Sequence, residues 1–147
     1  MSTKEIQEAL VAAMERWQKV ETASVGSMGR IFEKSNNPVV RTVSEIIQRD
    51  SMMHHRVQGM IADSLSVTSR TISLTPDELG EIWGMIEKHI EIEKKTIALA
   101  REALAMIKGK QMPVQEYLLN YLLLDEEKHN RILEDLEAIK KGMYPYA

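Results

Sequence analysis

The chain contains no cysteine, which excludes a disulfide framework and any thiolate metal site. A metal, if held, must be bound by nitrogen and oxygen. Glycine and proline are scarce, seven and four among 147 residues, so little interrupts regular structure. Neither sign of charge dominates: the net charge of −3 is spread along the chain without a basic stripe, and the electrostatic footprint of a nucleic-acid binder is missing. No apolar run approaches the roughly 20 residues of a membrane span. The amino terminus carries Lys4, Glu5 and Glu8 in place of an apolar signal region. A cytoplasmic protein that engages neither membrane nor nucleic acid is expected.

What the chain does have is Ala, Leu, Ile, Met, Glu, Lys and Gln, the residues that favour helix over strand. With 44% hydrophobic content, one all-α domain covering residues 1–147 is expected. Four apolar stripes with alternating steps of three and four mark the helices. The first runs Ile6, Leu10, Ala13, Trp17, Val20, Ser24, Met28, Ile31 and predicts a helix over about 3–35, stopped by Ser35-Asn36-Asn37-Pro38. The second, Val43, Ile47, Asp50, His54, Val57, Ile61, Ser64, predicts 38–65, with Pro38 in the first turn. After a Ser/Thr-rich link at 66–74, Thr75-Pro76-Asp77-Glu78 reads as a capping box. The third stripe, Ile82, Ile86, Ile90, Glu93, Ile97, Ala100, Leu104, Ile107, predicts 76–108, ending where Gly109 suits a left-handed cap. The fourth, Leu118, Leu122, Asp125, His129, Ile132, Leu136, Ile139, predicts 113–141 and leaves a short tail from Met143.

Four such helices bury their stripes against one another as a four-helix bundle. Short linkers force antiparallel hairpins between the first and second helices and between the third and fourth, while the longer 66–74 link favours a crossover joining the hairpins, with a simple up-down-up-down order as the alternative. An internal match supports similar halves: Asp50-Ser-Met-Met-His54-His-Arg56-Val57 aligns with Asp125-Glu-Glu-Lys-His129-Asn-Arg131-Ile132.

The second and fourth stripes carry polar groups where leucine would be expected, Asp50 with His54 and Asp125 with His129. An unpaired ion in a core seam costs several kcal/mol. An antiparallel hairpin also brings residues equally far from its turn to one height. Glu21 and His54 lie on either side of Asn37 at similar separations, roughly 25 Å from the turn at 1.5 Å per residue. Counting from Gln111 pairs Glu93 with His129 in the same way. On the fourth helix Glu126 and His129 form Glu-x-x-His, whose spacing aims a carboxylate and an imidazole in one direction. The set at mid-bundle is then Glu21, Asp50, His54, Glu93, Asp125, Glu126 and His129. So many acids cannot ionise together in a dry core without a cation, and two divalent ions would neutralise most of their charge. Imidazole with bridging carboxylate suits iron or manganese, with zinc as a competitor.

These residues resemble the ferritin-like di-iron carboxylate proteins, particularly the erythrin domain of the rubrerythrin branch. The likeness spans about residues 5–140 and is closest around Glu21, in Ile90-Glu-Ile-Glu93-Lys-Lys-Thr-Ile-Ala-Leu, and in Leu124-Asp-Glu126-Glu-Lys-His129-Asn-Arg-Ile-Leu. The resemblance implies that Glu21, His54, Glu93, Glu126 and His129 are metal ligands. Where the family's second helix has its Glu, three residues before His54, this chain has Ser51. Asp50 is the nearest substitute, so an asymmetric or single-metal site stands beside the symmetric one. The family often has a tyrosine seven residues after the third-helix Glu, where this chain has Ala100. Asp125, Tyr121 and Ser51 are placed to hydrogen-bond to ligands, Met52 and Met53 read as gap-filling core residues, and His55 and His89 read as ordinary.

The implied function is an iron-dependent oxidoreductase, of ferroxidase or peroxidase type, reducing dioxygen or hydrogen peroxide with electrons from an external donor. A homodimer formed through apolar helix faces is expected. Two other readings compete: a helical interaction or regulatory protein with a degenerate site, and metal sequestration without turnover.

Overall fold

The computed structural model describes residues 2–66 and 76–143. The Ser/Thr-rich link beyond Ser66, the Thr75 end of the third capping box and the tail after Met143 lie outside the described residues, and so does the expected crossover. The described residues form four α-helices and no strand: α1 (Thr3–Lys34), α2 (Pro38–Leu65), α3 (Pro76–Ile107) and α4 (Pro113–Met143). The protein is all-α, with each helix boundary within two residues of its sequence expectation. No helix among the described residues is long and apolar enough to cross a membrane. The chain divides into two compact units, one ending at Ser73 and one starting at Leu74. Each is an antiparallel helical hairpin, α1 on α2 and α3 on α4.

Local chemistry sets the helix ends. Ser2 and Glu5 form a reciprocal capping box that satisfies two amides at the start of α1. Asn37 caps α2 by accepting hydrogen bonds from the Val39 and Val40 amides at 2.9 and 3.2 Å, and Pro38 follows in the first turn, where its missing N–H costs nothing. Arg41 ties the same turn together, donating to the Phe32 and Ser35 carbonyls and lying 3.9 Å over the Phe32 ring. After α3, Gly109 takes a φ of +76°, the left-handed conformation expected of a glycine beyond a helix end.

The two hairpins are closed by different chemistry. In the first, α2 turns the line Ser44, Ser51, Gln58 inward, buried at every seventh residue. The apolar stripe of α2 runs beside this line, and Val57 remains 46% exposed. Met52 and Met53, expected in the core, are exposed as well, because they follow Ser51 round the helix and away from the inward line. On α1 the buried residues are Met14 and Glu21, whereas Trp17 and Val20 of the expected stripe are exposed. Two glutamines clamp the helices from opposite sides. Gln18 Nε2 donates to the His55 carbonyl at 3.0 Å, and Gln48 Nε2 donates to the Val25 carbonyl at 3.0 Å. Each amide passes over a glycine one turn further along the opposite helix: a Cβ on Gly59 would meet Gln18 Nε2 at 3.1 Å, and one on Gly29 would meet Gln48 Nε2 at 3.0 Å. Glycine at 29 and 59 is what lets the side-chain amides reach a helix carbonyl.

In the second hairpin the sequence stripe and the buried seam coincide on α3 from Ile90 onward, whereas Ile82 of the stripe is exposed and its neighbour Trp83 is buried instead. Ile90, Glu93 and Ala100 are buried, and so is Trp83. Trp83 donates its indole N–H to Glu87 at 2.9 Å and carries Lys140 Nζ from α4 at 4.4 Å from its ring centroid. Arg101 reaches Glu127 across the hairpin at 2.7 Å.

Candidate metal centre

Glu21 is 7% exposed and surrounded by donors. Gln58 Nε2 donates to its Oε1 at 3.3 Å, and His54 Nδ1 lies 3.4 Å from the same oxygen. The Ser51 hydroxyl and Trp17 also hydrogen-bond to this carboxylate. Ser51 Oγ lies 3.0 Å from Ser24 Oγ; with one proton per hydroxyl, the order Ser24 to Ser51 to Glu21 satisfies the whole chain. These donors hold the Glu21 carboxyl below its ordinary value, the Ser51 hydrogen bond contributing most and burial opposing it. The His54 ring is more than half exposed, and Asp50 is exposed on α2 outside this network.

Glu93, at the matching place in the second hairpin, is 6% exposed and meets the opposite environment. Its Oε1 is engaged by His89 Nε2 at 2.9 Å. Its Oε2 is buried with no hydrogen-bond partner and lies 3.8 Å from His129 Nδ1. His129 Nδ1 is also 3.8 Å from Glu126 Oε2, which accepts a hydrogen bond from Thr96 Oγ1 at 3.0 Å. Burial pushes the Glu93 carboxyl above its ordinary value. The neighbouring Glu126 carboxyl pushes it further, against the pull of His129 and His89.

One donor atom from each of Glu93, Glu126 and His129 lies within 4.8 Å of the others. Donors around a single ion at about 2.0–2.2 Å are separated by at most roughly 4.4 Å, so a small inward movement closes the set. On its far side His129 is steered by Asp125, whose Oδ2 is 3.5 Å from Nε2 and whose other oxygen pairs with Lys128. A carboxylate on that side restrains the ring's orientation. Tyr121 is half-buried one turn before Asp125.

Each hairpin therefore brings together the pair that counting from its turn puts at one height, Glu21 with His54 and Glu93 with His129. The internal match exposes the difference, because Ser51 occupies the place of Glu126. A hydroxyl that donates to the buried glutamate in one hairpin is a second carboxylate that repels it in the other. His89 was not expected at the site. Its signal in the sequence was the four-residue step to Glu93, which puts both on one helix face.

No protein-family model, curated protein or solved structure matches the chain. The class of molecule rests on what the fold and the site define: an all-α protein of helical hairpins with a carboxylate–imidazole cluster inside the second.

Proposed function

We propose that Glu93, Glu126 and His129 hold a redox-active divalent metal, iron before manganese or zinc, and that the chain is a non-haem iron oxidoreductase. The buried, unpartnered Glu93 Oε2 carries this reading. A buried carboxylate oxygen without a donor costs about 1–3 kcal/mol or more, and a cation in front of it removes that penalty and the repulsion from Glu126 together. Two carboxylates and an imidazole are a hard, nitrogen–oxygen set that suits ferrous iron. Ferrous iron bound there would supply electrons to dioxygen or hydrogen peroxide, with an external donor restoring it.

The protein's own groups have distinct tasks in this scheme. Glu93 and Glu126 would face the ion as its two carboxylate ligands. Asp125 lies 3.5 Å from Nε2 of His129, which leaves Nδ1 as the nitrogen that faces Glu93 and Glu126. The Thr96 hydroxyl lies between the Glu93 carbonyl at 2.8 Å and one oxygen of Glu126 at 3.0 Å, with one proton to give to either. The resemblance to the rubrerythrin branch implies two ions; the donors already gathered on Glu21 support one. A reducing, cytoplasmic setting fits a cysteine-free ferrous site, and self-association to a homodimer belongs to the same reading.

Anaerobic ferrous titration followed by exposure to oxygen or peroxide tests the proposal. Uptake of iron with an oxidant-dependent near-ultraviolet band is expected, and Glu93→Leu should abolish both while making the metal-free protein more stable. Uptake without a band would leave metal sequestration. No uptake at all would leave a helical interaction protein.

A further inference from the structure

The two oxygens of Glu93 are treated differently. Oε1 is 2.9 Å from His89 Nε2, one turn earlier on α3, while Oε2 is buried and faces His129 without a hydrogen-bond partner. His89, Glu93 and His129 line one open cleft of about 260 Å³ with Ile132 and Leu133. His89 is more than half exposed, so burial of its ring does not explain its place. Its one strong contact is with a carboxylate that is 6% exposed.

We propose that His89 is a positioning residue of the metal site: its Nε2–H holds Glu93 Oε1 so that Glu93 offers Oε2 alone to an ion shared with Glu126 and His129. This rests on the reading that those three residues bind metal. A carboxylate free at both oxygens turns about its terminal bond and can chelate an ion with both. Pinned at one oxygen, it is a one-atom ligand aimed at a fixed point. Exposed His–Glu pairs one turn apart contribute little, but a donor to a ligating carboxylate typically changes metal affinity 10–100-fold.

Cobalt(II) serves as the probe, because its visible spectrum reports the number and geometry of ligands. In the full-length chain His89→Ala should lower cobalt affinity by about 10–100-fold and alter the visible band as Glu93 becomes a two-atom ligand. His89→Gln, whose amide can donate to the same oxygen, should recover both affinity and spectrum. Thermal unfolding of the metal-free variants should show that each still folds. Equal cobalt affinity and an unchanged spectrum in a folded His89→Ala would overturn the assignment while leaving the metal site intact. So would X-ray absorption that counts two imidazoles on the cobalt, which would make His89 a ligand. Failure of the unsubstituted protein to take up cobalt would remove the site, and His89's role with it.

Discussion

The two hairpins set a buried glutamate opposite a histidine at the same depth and then solve its burial in opposite ways. In α1–α2 the carboxylate of Glu21 is answered by protein donors, Ser51, Gln58 and Trp17, with His54 alongside. In α3–α4 the carboxylate of Glu93 meets a second carboxylate, Glu126, and keeps one oxygen unanswered. The aligned position decides the outcome: serine at 51 in one hairpin, glutamate at 126 in the other. A hydroxyl gives a buried carboxylate a donor, whereas a second acid raises the cost of its ionisation.

The strongest way to break this contrast is to make the first hairpin resemble the second. Ser51→Glu removes the leading donor to Glu21 and adds a like charge beside it. We expect the metal-free protein to lose roughly 1–3 kcal/mol, as for a buried polar group left unsatisfied, and cobalt to stabilise the variant more than it stabilises the parent. Urea unfolding with and without cobalt measures both; a variant as stable as the parent would mean that Ser51 contributes nothing to the Glu21 site.

The pH dependence of stability sharpens the comparison, because the two glutamates contribute with opposite sign. For Glu21 the folded value lies below the ordinary 4.5, so its stabilisation is present above 4.5 and is lost as pH falls through the folded value. For Glu93 the folded value lies above 4.5, so its ionisation withdraws stability as pH climbs from 4.5 through the folded value. In chelator-treated protein Glu93→Gln should therefore gain stability over the parent above that window and match it below, while Glu21→Gln should lose stability at neutral pH and approach the parent in acid. Urea midpoints across pH would contradict the scheme if both variants moved in the same direction.

The smallest expected effect concerns the glutamine clamps. Alanine in place of a helix-interior glycine usually adds roughly 0.5–1 kcal/mol. Gly84, where an added Cβ would meet no atom within 4 Å, should show that gain. Gly29→Ala and Gly59→Ala should not, because the new methyl presses on Gln48 or Gln18 and loosens a hydrogen bond that contributes about 1 kcal/mol. Equal gains at all three positions in thermal unfolding would show the clamps to be incidental.

The helix boundaries were legible because they are written in local chemistry: Asn37 with Pro38, proline in the first turn of α3 and α4, and Gly109 past the end of α3. The pairing of Glu21 with His54 and of Glu93 with His129 was legible by counting from the turns. Hydrophobic periodicity worked on α3, where the stripe through Ile90, Glu93 and Ala100 is also the buried line. It failed on α2, where the line facing α1 is Ser44, Ser51 and Gln58. A seam of hydroxyls, amides and glycines carries no apolar signal, so the stripe through Ile47, Val57 and Ile61 drew attention instead, and with it Asp50 and His54 as core residues. Both are exposed. The role of Ser51 was hidden for a related reason: in the sequence it registers as a missing ligand, and only the hairpin's geometry shows it as a donor to Glu21.

The most direct test is the number of ions bound per chain, measured by anaerobic ferrous titration of the parent, Glu21→Gln and Glu93→Gln. The account predicts one ion for the parent and for Glu21→Gln, and none for Glu93→Gln. Metal retained by Glu93→Gln but lost from Glu21→Gln would contradict it.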